Sequence, residues 1–144
     1  MLKKIPKLIS PDLMKVLMEM GHGDEIVIAD GNFPSEEFGR KCIRLDGLNV
    51  PEVLEAVLEF FPLDKYVDYP VALMQVVPGD DAKTPIWDTY KAIIEKSDEA
   101  AYFKNGFENI ERFAFYERTK KAYAVIATSE AAIYANIILK KGIC

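Results

Sequence analysis

Residues 20–34 read Met20-Gly21-His22-Gly23-Asp24-Glu25-Ile26-Val27-Ile28-Ala29-Asp30-Gly31-Asn32-Phe33-Pro34. Glu25 to Ala29 is a β-branched apolar run too short for a helix, and it predicts a buried strand. Asp30 to Pro34 is turn composition, which predicts a loop at the carboxyl end of that strand. On the amino side, Ser10-Pro11-Asp12 has the order of a helix start: a capping hydroxyl, a proline at the first helical position and an acid at the positive end of the dipole. Leu13, Met14, Leu17 and Met20 follow at helical spacing, and Gly21 suits the residue just past a helix end. His22, the only histidine in 144 residues, therefore lies at a helix–strand junction between two glycines.

The same alternation continues to the end of the chain. Lys41 to Leu45 reads as a short strand. Asn49-Val50-Pro51-Glu52 opens a helix with Val53, Leu54, Val57, Leu58 and Phe61 on one face, closed by Pro62. Val71 to Val77 reads as a strand and Pro78-Gly79-Asp80-Asp81 as a turn. Thr84-Pro85 caps a helix carrying Trp87, Tyr90, Ile93 and Ile94. Residues 98–109 read as loop-rich, Ile110-Glu111-Arg112 as a short strand, and Phe113 to Lys121 as a helix. Ala122 to Thr128 and Ala135 to Lys140 read as strands. Strands alternating with helices predict an α/β domain with a mostly parallel sheet, and with no linker or repeat the expectation is one domain over 1–144.

Composition narrows the class. Half of the residues are apolar, 28% are charged and the net charge is −5. An acidic chain with scattered Lys and Arg speaks against a nucleic-acid partner. No apolar run approaches the roughly 18–20 residues of a membrane span, and residues 1–6 lack the pattern of a secretory signal. Cys42 and Cys144 form no framework, so the expectation is a reduced, cytoplasmic protein. With one His and two distant Cys, no metal site is expected. There is no nucleotide-binding glycine motif and no GxSxG.

Several residues carry chemistry. His22 carries an imidazole, the side chain best suited to giving and taking a proton; capping the preceding helix is the competing role. Asp30 stands where ligands of open α/β sheets bind, outside the carboxyl end of a strand, although Asp-Gly is also an Asx-turn sequence. Asp24 and Glu25 read as surface or capping acids. Arg112, just before a helix, is badly placed for the dipole and points to a specific partner, and Tyr134 and Asn136 offer polar groups suited to sugar hydroxyls; taken singly, all three read first as structural. Trp87 and Tyr90 read as a packing stripe before a stacking platform.

Three stretches together resemble one family. They are Met20 to Pro34, Arg112-Phe113-Ala114-Phe115-Tyr116-Glu117-Arg118, and Tyr134-Ala135-Asn136-Ile137-Ile138-Leu139-Lys140-Lys141-Gly142. In order and over a matching length, they resemble the RbsD/FucU family, which contains L-fucose mutarotase and D-ribose pyranase. The pyranase members tend to carry Leu-Gly-His-Thr-Asp in the first motif and a histidine at the position of Arg112. Gly23 and Arg112 match the fucose branch. The resemblance implies a three-layer, Rossmann-like α/β fold with a mixed sheet of about six strands, interconverting the α and β anomers of L-fucopyranose without a cofactor. His22 would be the proton donor and acceptor, and Asp30, Arg112, Tyr134, Ala135 and Asn136 the substrate-binding positions. Assembly in rings, commonly decamers of two stacked pentamers, would put the site near a subunit boundary. Ribose pyranose–furanose exchange and non-catalytic monosaccharide binding remain the competing activities.

Overall fold

The computed structural model describes residues 1–144. Its strands are β1 (Glu25–Ala29), β2 (Cys42–Leu45), β3 (Val71–Met74), β4 (Glu108–Ile110), β5 (Ala124–Thr128) and β6 (Ile137–Lys140). Its helices are α1 (Pro11–Glu19), α2 (Ser35–Phe38), α3 (Val50–Leu58), α4 (Pro85–Lys96) and α5 (Arg112–Lys121). The strands form one sheet in the order β2-β5-β1-β6-β3-β4. β1, β2 and β5 run parallel, as do β3 and β4, and β6 is antiparallel to both β1 and β3. The carboxyl ends of five strands and the amino end of β6 therefore share one edge.

Both faces of the sheet are covered, as the unbroken apolar runs require. On β1, Ile26 and Ile28 enter the larger core with residues of α1, α3 and α4, while Val27 and Ala29 enter the smaller core with Phe33 and Phe115. Helices α1, α3 and α4 thus form one outer layer, and α2 and α5 form the other. Local sequence sets the helix starts. The Ser10 hydroxyl accepts the Leu13 N–H at 3.1 Å, and Glu52 reaches back to accept the Asn49 N–H at 2.7 Å.

The antiparallel course of β6 follows from chain length. Only residues 129–136 separate β5 from β6, fewer than the ten to twelve that a parallel crossover needs. The chain therefore passes over the carboxyl end of β1 and returns beside it. Hydrogen bonds fix the crossing. The Thr128 hydroxyl donates to Ala29 O at 2.7 Å, Gly31 N–H donates to Glu130 O at 2.9 Å, and Asp30 N–H donates to the Asn136 side-chain oxygen at 2.8 Å.

Several boundaries differ from the sequence reading. β3 ends at Met74 rather than Val77, because the Val77 N–H is given to the Tyr134 phenol at 3.3 Å instead of a strand. The strand expected at Ile110–Arg112 lies at Glu108–Ile110; Glu111 caps α5 by accepting the Ala114 N–H, and Arg112 is that helix's first residue. β6 begins at Ile137, since Ala135 and Asn136 make tertiary hydrogen bonds. The short helix α2, Ser35–Phe38, follows directly on the predicted loop, in a stretch where the sequence reading places no element. Gly21 is not the left-handed residue after α1. Met20 turns the chain into extended backbone, and the positive φ of 86° falls at Gly23.

Helix α5 is fastened to the sheet by charge. Arg118 Nε donates to both carboxylate oxygens of Glu25 at 3.0 and 3.1 Å, and its Nη1 pairs with Glu108. Arg118→Met leaves the largely buried Glu25 without its partner. The expected cost is about 2 kcal/mol, below the ~3–5 kcal/mol of a fully buried pair because Arg118 keeps some solvent contact. A urea midpoint shifted down at unchanged m-value checks this; an unmoved midpoint would count against the clamp.

Candidate active site

A cleft of about 320 Å³ opens at the shared edge of the sheet, at the small end of the roughly 300–1,000 Å³ typical of ligand sites. The end of β1 supplies Asp30, the stretch after β3 supplies Val77 and Asp80, α5 supplies Arg112 and Tyr116, and the crossing before β6 supplies Tyr134 and Asn136. Four of the sequence-predicted binding positions are therefore brought together by folding. The fifth, Ala135, lies behind them, with its carbonyl accepting the Tyr90 hydroxyl at 2.7 Å.

Asp30 is only 6% exposed. Burial pushes its carboxyl pKa up, opposed by hydrogen bonds from the backbone of Asn32, Ala135 and Phe33 and from the Asn136 side chain. One oxygen accepts the Asn32 N–H at 3.0 Å, so the Asx-turn read from Asp-Gly coexists with a place in the cleft. The Arg112 guanidinium makes no ion pair. Its Nε donates to the Tyr116 hydroxyl at 3.0 Å, and it lies 5.6 Å from the ring centroids of Phe113 and Tyr116. Stacked and oriented in this way, its remaining donors are available to a hydroxyl-rich ligand. Trp87 and Tyr90 belong to the packing stripe and also brace the crossing: Trp87 Nε1 donates to Tyr134 O at 2.7 Å. That bond and the Tyr90 bond hold Tyr134 at φ 54°, a left-handed conformation unusual for a tyrosine.

His22 lies elsewhere. It precedes β1, whereas the cleft follows it, and a five-residue strand is about 17 Å long, so within one chain His22 and Asp30 occupy opposite edges of the sheet. Its Nε2 is 3.2 Å from Asp64 Oδ1, and its ring packs against Tyr66 with centroids 5.6 Å apart. Asp64 is 3% exposed and also accepts the Tyr66 N–H at 3.0 Å. With Asp64 charged, Nε2 carries the donated proton, and Nδ1 is left to exchange a proton with a ligand. The helix-capping role fails, since the imidazole bonds to Asp64. The acid beside this imidazole is Asp64, not Asp30. Asp24 closes the turn after α1 by accepting the Gly21 N–H at 2.7 Å, while Glu25 is the partner of Arg118.

Asp64, Asp80 and Tyr116 were not singled out from the sequence. Asp64 sits in a stretch with no motif, 42 residues from His22, and only the fold pairs them. Its place is secured by the chain after β6. Gly142 N–H donates to Pro62 O at 2.7 Å, and a Cβ at Gly142 would stand 2.9 Å from Asp64 Cα. A larger groove of about 1,020 Å³ runs along the N-terminal arm and α1, but it is apolar, lined by Met14 and Met18, and lacks converging polar groups. No group of three or more His, Cys, Asp or Glu side chains is close enough to hold a metal ion.

Fold and cleft together define an α/β protein that takes a small hydroxyl-rich molecule outside the carboxyl edge of its sheet. Residues 3–144 match the family described as the RbsD / FucU transport protein family, and the chain belongs to it. It is 52% identical to a fucose mutarotase of Mus musculus over 147 residues, covering 98% of this chain and 94% of that one. Among solved structures, the fucose mutarotase of Streptococcus pneumoniae in complex with L-fucose superposes with a TM-score of 0.91 at 54% identity, covering 99% of both chains. RbsD of Bacillus subtilis complexed with D-ribose superposes with a TM-score of 0.65 at 27% identity, covering 100% of this chain and 99% of that one.

The elevated Asp30 pKa has a signed consequence. A carboxyl that binds its proton more tightly folded than unfolded stabilises the fold at low pH and loses that contribution as pH rises through its folded pKa. Asp30→Asn keeps the acceptor for Asn32 and removes the buried charge. In thermal unfolding the variant should gain stability relative to the parent as pH rises through the carboxylate range, while sugar affinity drops. A stability difference that does not change with pH in that range would contradict the burial argument.

Proposed function

We propose that the chain interconverts the α and β anomers of L-fucopyranose, an isomerase activity on a carbohydrate that needs no cofactor. Near-complete alignment with fucose mutarotases at about half identity supports the substrate, and the composition of the cleft supports the chemistry. The observation that carries the reading is the set Asp30, Arg112, Tyr134 and Asn136 facing one small space. A buried carboxylate, a fork of donors, a phenol and an amide together match the alternating donors and acceptors of a pyranose.

Ring opening requires the anomeric hydroxyl to lose a proton while the ring oxygen gains one. The aldehyde then rotates about C1–C2, and closure reverses both transfers. Two proton-transfer groups on opposite sides of the sugar serve this best. The Tyr134 phenol lies in the cleft and serves one transfer. His22, backed by Asp64, suits the other but is on the far edge of its own chain. The reading therefore has His22 and Asp64 supplied by a neighbouring copy whose His22 edge closes the cleft, with Asp30, Arg112, Tyr134 and Asn136 holding the sugar and Ala135 supporting them from behind.

Exposed apolar side chains support that contact. Tyr66 (65%) packs against His22, and Phe113 (66%) and Ile133 (52%) lie beside the cleft. Two different patches at opposite ends of one molecule make a head-to-tail contact, which closes into rings; two stacked five-membered rings, a decamer, is the proposed assembly. In this reading the whole chain, 1–144, acts as a single domain in the cytoplasm. No helix is long and apolar enough to cross a membrane.

Saturation-transfer NMR of the two fucose anomeric signals tests the activity. Exchange should quicken in proportion to added protein, and His22→Ala should lower the rate by about 10²-fold or more while the fold is retained. Unaltered exchange with the parent protein would refute the activity, and an active His22→Ala would refute the role of His22. The same assay with D-ribose reads out the pyranase activity that the weaker likeness to RbsD leaves as the second reading. Binding of fucose without faster exchange would identify a binding module.

A further inference from the structure

The Tyr134 phenol does not face the cleft alone. It donates to Asp80 Oδ2 at 2.7 Å and accepts the Val77 N–H at 3.3 Å. Asp80 is itself fixed. Its N–H closes the Val77-Pro78-Gly79-Asp80 turn on Val77 O at 3.0 Å, and its Oδ1 accepts the Ala82 N–H at 2.9 Å, leaving Oδ2 for the phenol. With its proton given to Asp80 and one lone pair given to Val77, the phenol oxygen keeps one lone pair for a ligand. Toward a sugar it is an acceptor, and the proton it would receive has an onward path.

We infer that Asp80 acts through Tyr134 as the terminal proton acceptor and donor of the reaction, making Tyr134 and Asp80 a relay opposite the His22–Asp64 pair. This rests on the anomer-interconverting reading above. In ring opening, the O1–H bond breaks and its proton passes to Tyr134 Oη as the phenolic proton passes to Asp80 Oδ2. The O1 electron pair forms C1=O1, the C1–O5 bond breaks, and O5 takes a proton from the protonated His22 imidazole of the neighbouring copy. Closure returns each proton by the same route, so nothing is oxidised or reduced.

A relay of this kind never forms a free phenolate. That agrees with the Asp80 carboxylate pushing the Tyr134 pKa up through its hydrogen bond, partly offset by the Val77 N–H. Tyr134 remains the group that touches the sugar, and the exposed Asp80 carboxylate accepts the proton that the phenol passes on.

Asp80→Asn separates this role from simple orientation. The amide oxygen still accepts the phenolic proton in hydrogen bonding but cannot take it up. The relay predicts kcat for fucose anomer exchange lowered by about 10²-fold or more with KM unchanged. Wild-type kcat in Asp80→Asn, or a raised KM at unchanged kcat, would overturn it. The double variant Asp80→Asn/Tyr134→Phe should be no slower than Tyr134→Phe alone, because Asp80 works only through the phenol; a further multiplicative loss would also overturn it. The parent protein run alongside keeps the two levels apart. If it fails to accelerate exchange, the mutarotase reading falls, whereas an active parent with an equally active Asp80→Asn removes only the relay.

Discussion

The crossing of residues 129–136 over the carboxyl end of β1 is the constraint on which the rest depends. It is too short for a helical crossover, so it forces β6 to run antiparallel between β1 and β3. It also lays Tyr134, Ala135 and Asn136 directly over Asp30. Glu130, 9% exposed, ties the crossing to the start of α3 by accepting the Val50 N–H at 3.3 Å and to its own loop by accepting the Ala132 N–H at 3.0 Å. From α4, Trp87 and Tyr90 hold the carbonyls of Tyr134 and Ala135. The left-handed backbone at Tyr134 costs on the order of 1–3 kcal/mol, and this surrounding set of bonds holds it in place. Strain kept where a side chain must face a ligand is what a preorganised site requires.

The acids divide by environment. Asp30 and Asp64 are buried at opposite edges of the sheet, 6% and 3% exposed, and Asp80 is exposed. Each is paired differently: Asp30 with backbone amides, Asp64 with an imidazole, Asp80 with a phenol. His22–Asp64 and Tyr134–Asp80 stand as two separate pairs across the sheet, and the proposed reading makes each of them half of a site. On the proposed reading, assembly belongs to the chemistry, because a lone subunit would lack the second proton-transfer group beside its cleft.

Much of this was legible in the sequence where local rules decide. Ser10-Pro11 and Asn49-Val50-Pro51-Glu52 start helices as expected, and Ile26 to Ala29 has the unbroken apolar pattern of a strand buried on both faces. Asp30, Arg112, Tyr134 and Asn136 were found through their resemblance to family motifs, and the cleft gathers them. The ends of β3 and β6 were misread because Val77, Ala135 and Asn136 spend hydrogen-bonding groups on tertiary partners, which no periodicity records. Asp64 and Asp80 were missed for a related reason: each looks like an ordinary loop acid until folding sets it beside His22 or Tyr134. The position of His22 was read correctly as a junction between glycines, but only the strand order shows that this junction and Asp30 lie at opposite edges.

The central claim is that the active site is shared between copies. The direct measurement is complementation between two inactive variants, His22→Ala and Arg112→Ala, unfolded together in equal amounts and refolded into mixed rings. In a random head-to-tail ring, about a quarter of the sites pair an intact cleft with an intact neighbouring His22. Fucose anomer exchange should therefore return to about that fraction of the parent rate. Exchange that stays at the level of the separate variants, despite demonstrated mixing, would contradict a shared site.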